Sequence, residues 1–138
     1  MRAKQISVFL ENSAGRLAEV TGCLADANIN LQALSIADTA DFGILRIIVD
    51  KPAKAKETLI SRGFTARETD VLVTKTDGTS DIARLMELFS AANINIEYLY
   101  SALNGMRGGG ALVIFKLDDI EAGQKIVEEN GIIILEQL

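Results

Sequence analysis

Apolar positions recur along this chain with two periods, and the switches between them mark out its elements. Ile6, Val8 and Leu10 alternate with other residues, which predicts a strand over residues 4–10. After the polar turn 11–15, Leu17, Val20 and Leu24 fall on one face of a helix expected over 16–27, with Asn12 and Ser13 as candidate caps. Asn28 stands where a left-handed residue is wanted, a conformation Asn tolerates. A strand over 29–37, a hairpin over 38–42 and a partner strand over 43–49 come next. Asp50 and Pro52 open a helix through about residue 62, Gly63 stops it, and 64–69 reads as a short closing strand.

The second half repeats this order. It gives a strand over 71–76, a turn over 77–80 and a helix over 81–92 with Ile82, Leu85 and Phe89 inward. Asn93 is the left-handed stop; a strand over 94–102, a glycine-rich hairpin over 103–109, a strand over 110–117, a helix over 118–130, Gly131 and a strand over 132–136 complete it. A shift of 65 residues lays Ala27-Asn28-Ile29-Asn30 onto Ala92-Asn93-Ile94-Asn95, and seven of 24 positions between residues 14–37 and 79–102 are identical. Three extra residues in the second hairpin move the offset to 68, which aligns Gly63 with Gly131. A repeat of this length is a folding module, so function is sought at the seam between modules.

The expected fold is α+β: two ferredoxin-like βαββαβ units, residues 1–69 and 70–138, each an antiparallel sheet with both helices on one face. The opposite face of such a sheet normally alternates, yet residues 44–49 and 111–115 are almost continuously apolar. A second copy of the same surface would cover it, predicting a homodimer or higher assembly; helices of the neighbouring half covering it within one chain is the alternative.

Composition narrows the classes of function. The 138 residues are 49% hydrophobic but only 5% aromatic, so the core is aliphatic. A net charge of −5 without a Lys/Arg cluster argues against nucleic acid and anionic membranes. No segment has the length of a membrane span, and the first twelve residues read as a strand with a charged start, not as a leader. The single Cys23 excludes an internal disulfide and points to a reducing cytoplasm, while the lack of His removes Ser-His and Cys-His pairs and His-ligated zinc. No metal, cofactor or catalytic residue is expected.

Candidate chemistry gathers at the turn Glu11-Asn12-Ser13-Ala14-Gly15-Arg16-Leu17, where a helix start offers N–H groups to a carboxylate or phosphate and Gly15 lets a ligand approach. Asn12 or Ser13 capping those groups is the alternative. Asn30 and Asn95 open strands between apolar neighbours, where a polar side chain must find a partner: an ammonium and a carboxylate of a ligand, or a local bond to the adjacent turn. Weaker candidates are Cys23, read as lying at a polar-side or flanking position; Gly108-Gly109-Gly110, read as a flexible hairpin; and Asp38 and Asp41, which turn chemistry explains equally well.

The unit order, with Leu10-Glu11-Asn12-Ser13-Ala14-Gly15-Arg16-Leu17 ahead of Ala27-Asn28-Ile29-Asn30, resembles two tandem copies of the ACT domain, a small-molecule regulatory module of amino-acid metabolism. The run from Ser35 to Arg46 is similar to stand-alone bacterial tandem-ACT proteins without a catalytic domain. The resemblance implies an amino-acid site at the junction of two ACT units, in which Asn12 and Asn30 match the two gripping asparagines of the serine-regulated version. Leu10 stands in place of that version's His, and Ala14-Gly15 in place of its Pro-Gly. The second copy lacks the Pro-Gly signature and carries Asp81 near its helix start, which would repel a carboxylate; it contributes walls, including Asp77 and Asn95. The resemblance therefore implies a non-enzymatic sensor that binds a free amino acid and regulates a partner enzyme. The alternatives are an assembly subunit with vestigial sites and an acylphosphatase-like hydrolase using Arg16 and Asn30.

Overall fold

A computed structural model describes residues 2–38, 41–103 and 110–138, the side chain of Asp38 set aside. Gly108 and Gly109, most of the second hairpin and the Asp38 carboxylate lie outside the described residues. Contacts divide the chain into two compact units, Lys4–Thr69, and a second made of Asp70–Leu138 with residues 2–3. The fold is α+β, and each unit carries two helices on one antiparallel sheet.

In the first unit the elements are β1 (Ala3–Glu11), α1 (Arg16–Asp26), β2 (Leu31–Asp38), β3 (Phe42–Val49), α2 (Pro52–Ser61) and the start of β4 (Thr65–Thr76), with strands in the order β2-β3-β1-β4. Register places Val8 opposite Leu45 and Ile6 opposite Ile47, so these four share one face. They close a core with Val20 and Leu24 of α1 and Ala55 and Leu59 of α2, all buried. The second unit holds the rest of β4, α3 (Thr79–Ala91), β5 (Ile96–Ser101), β6 (Ala111–Leu117), α4 (Ile120–Glu129) and β7 (Ile134–Leu135). Here Leu72 faces Phe115, and both pack with Leu85, Phe89, Leu117 and Val127. The Phe89 and Phe115 rings meet edge to face, centroids 5.5 Å apart.

The residue pattern places the elements well, and its errors have physical causes. The two strands expected over 64–69 and 71–76 are one strand, because Thr65–Thr76 contains neither Gly nor Pro to interrupt it. Strands β2 and β5 begin two residues later than expected. Ile29 N–H and Ile94 N–H still close the preceding helices onto Leu24 O and Phe89 O, both at 2.9 Å, beyond left-handed Asn28 (φ 58°) and Asn93 (φ 56°). Cys23 is a core residue, not a flanking one. On the far face of each sheet Ala33, Ile48, Val71, Val73 and Ile114 are buried. The apolar side chains left exposed include Leu34 and Ile36 on β2, 40% and 48% exposed, and Phe42 and Leu99.

Candidate ligand site at the start of the first helix

Strand β1 hands over to α1 through a turn held by its own backbone. Ser13 N–H donates to Glu11 O (2.9 Å), Arg16 N–H to Ser13 O (3.4 Å), and Asn12 N–H to Asp41 O (3.1 Å), which ties the turn to the β2–β3 hairpin. The residue before the helix is Gly15 at φ 89°, a left-handed conformation that suits glycine, and no side chain caps the helix. The expected caps Asn12 and Ser13 are therefore corrected: the turn enters the helix through Gly15, and both side chains stand exposed. Glu19 N–H is bonded to Gly15 O at 3.0 Å, whereas Leu17 and Ala18 N–H have no acceptor among the described residues.

Beside this helix start lies a recess of about 260 Å³ lined by Leu10, Glu11, Asn12, Ser13, Arg16, Leu17, Ile36 and Gly43. Arg16 bridges it. Its Nη1 donates to Glu19 Oε2 at 2.8 Å, its guanidinium carbon lies 4.9 Å from the Phe64 ring centroid, and its Nε is buried without a hydrogen-bond partner. A buried guanidinium N–H without an acceptor is rare. Leu10, Leu17 and Ile36 contribute apolar lining.

Five of the anticipated residues, Glu11, Asn12, Ser13, Arg16 and Leu17, thus line one recess, with Ala14 and Gly15 in the same turn. Asn30 is not among them. It comes after α1, whose 11 residues span about 16 Å, at the far end from Asn12. The expectation that its side chain needs a partner fails because Asn30 is exposed; its backbone makes the local link, with N–H to Asp50 Oδ1 at 2.9 Å and O from Asp50 N–H at 3.2 Å. Asn95 repeats this with Asp118, at 3.0 and 3.1 Å. Asp77 lines a separate recess of about 250 Å³ with Asp81 and Arg84, and its N–H donates to Asp81 Oδ2 at 2.7 Å. The second copy's carboxylate thus occupies its own loop. Ile36 and Gly43 escape a reading of the residues as lining positions; the signal is the cross-strand pairing of Leu10 with Gly43, where a strand glycine leaves space.

A family model described as an ACT domain pair matches residues 1–137. The chain belongs to the ACT domain pair family. Its fold is similar to a solved protein of Bacteroides thetaiotaomicron, 40% identical over 98% of this chain and 92% of that one, with a TM-score of 0.89. It also resembles the regulatory subunit of aspartate kinase from Thermus thermophilus (18% identity, 91% of each chain, TM-score 0.66) and from Thermus flavus (16%, 91% and 90%, TM-score 0.63), a likeness of fold. No curated protein matches the chain. Among the described residues of this ACT domain pair, no group of three or more His, Cys, Asp or Glu is placed to hold a metal, and no helix is long and apolar enough to cross a membrane.

Proposed function

We propose that this ACT domain pair is a non-catalytic regulatory protein that binds a free amino acid at the α1 start and passes the signal to an enzyme of amino-acid metabolism. The carrying observation is the recess lined by the exposed Asn12 and by Arg16, whose Nε is buried and unpaired, at a helix start where the N–H groups of Leu17 and Ala18 have no acceptor among the described residues. Together these are donors for a carboxylate, while Glu11 and the Asn12 carbonyl are acceptors for an ammonium group. The fold likeness to aspartate kinase regulatory subunits supports the regulatory part of the reading.

Asn30 enters this site from a second molecule. Strand β2 is an edge strand, and its Leu34 and Ile36 are exposed. Pairing two β2 edges antiparallel about a two-fold axis sets the beginning of one β2, where Asn30 stands, against the end of the other, where Ile36 borders the recess. The site is then completed by a homodimer, and ligand favours whichever assembly closes it.

A melting-temperature screen of the twenty amino acids tests the reading. One of them at saturating concentration is expected to raise Tm, equivalent to a few kcal/mol, and Asn12→Ala and Asn30→Ala are each expected to remove the shift. A ligand that stabilised both variants as well as the parent would refute this site. No shift with any amino acid would favour the exposed β2 edge as an assembly surface alone.

A further inference from the structure

In the first unit the chain neutralises the C-terminal end of its own helix α1. Lys54 Nζ donates to Ala27 O at 2.6 Å and Lys51 Nζ to Asn28 O at 3.0 Å. These carbonyls carry the negative end of the helix dipole, and two ammonium groups answer it.

The second unit reproduces the surroundings without the ammonium groups. Asn28 and Asn93 share a left-handed backbone, and Asp50 and Asp118 each accept the N–H of the asparagine two residues further on. Lys51 and Asp119 both precede the first residue of the next helix. At the two lysine positions, however, stand Asp119 and Ala122, and the Asp119 carboxylate accepts Ala122 N–H at 3.1 Å. The nearby Lys116 is committed elsewhere, to Glu97 Oε1 at 3.3 Å and Leu117 O at 3.0 Å. Ala92 O and Asn93 O therefore receive no side-chain donor among the described residues, with the Asp118 carboxylate close by. Next to them opens a recess of about 470 Å³ whose lining includes Asn93, Asp118, Met86, Phe89 and Ile96.

We propose that this recess binds a primary ammonium group carried on an apolar body, the ligand's ammonium taking the place that Lys51 and Lys54 fill in the first unit. Asn93 O and the Asp118 carboxylate receive the charge, and Met86, Phe89 and Ile96 receive the hydrocarbon. A neutral head group lacks the attraction to carbonyls and carboxylate that holds the lysines. The site is independent of the Asn12 recess, in which a carboxylate is the principal anchor.

Butylammonium is the probe, and butanol, of similar shape but uncharged, its control. Titrated into the full isotope-labelled chain at constant ionic strength, butylammonium is expected to give saturable amide shifts at residues 92–95, and butanol none there. Ala122→Lys, which installs the first unit's lysine, is expected to weaken butylammonium at least about tenfold, the worth of one charge-assisted hydrogen bond. Asp119→Lys, on an exposed position, is the second variant should the first not fold. Equal shifts from butanol, no shift at 92–95 from butylammonium, or undiminished binding by a folded lysine variant would each overturn the proposal.

Discussion

Asparagine does two unlike things within three residues of this chain. Asn28 and Asn93 take the left-handed conformation that ends each helix, and their place just after an apolar helical stripe makes that legible. Asn30 and Asn95, flanked by apolar residues, are expected to need side-chain partners. The strands start only at Leu31 and Ile96, and both asparagines are exposed and need none; an aspartate 20 or 23 residues on bonds their backbone instead. That link brings residues distant in sequence together, which periodicity does not register. Asp50→Ala removes the acceptor for Asn30 N–H, and a loss of about 1 kcal/mol is expected in urea unfolding. Arg16→Met keeps the aliphatic stem beside Phe64 while removing the buried Nε. It is expected to cost less than about 1 kcal/mol of stability, because the ion pair with Glu19 is exposed, yet to abolish the amino-acid shift in Tm.

At the scale of elements, α1 and α3 are readable because Val20/Leu24 and Leu85/Phe89 repeat with the helical period. Their starts are less so. A short polar run before a helix offers several capping residues, and only the backbone conformation shows that Gly15 ends the turn and leaves Asn12 and Ser13 outward. The join between 64–69 and 71–76 likewise reads as a break, although no residue there breaks a strand. At the entry to β6, Gly110 has φ +88°, and a Cβ there would meet Thr76 O at 2.5 Å, a backbone atom that cannot swing aside. Gly110→Ala combines that clash with left-handed strain, and about 2–3 kcal/mol of destabilisation is expected, seen as a lower denaturant midpoint with an unchanged slope.

For the whole molecule, each unit has its own buried cluster, Ile6 to Ala66 in one and Leu72 to Ile134 in the other. Phe89→Ala deletes a fully enclosed ring in contact with Phe115 and is expected to cost about 3–5 kcal/mol by calorimetry. Leu34→Glu puts charge on the exposed β2 edge. Sedimentation should show the variant as a monomer and the parent as a dimer, and the variant should lose the amino-acid response; a variant that stayed dimeric would remove β2 from the proposed interface. The duplicated pattern, the element order and the absence of His are all plain in the linear chain, because hydrophobic period and residue identity are local properties. Which side chains share a recess, which backbone donors lack acceptors, and that lysines answer one helix end but not its copy depend on contacts between residues tens of positions apart. Those contacts exist only once the strands have paired in register, which is why folding decided them.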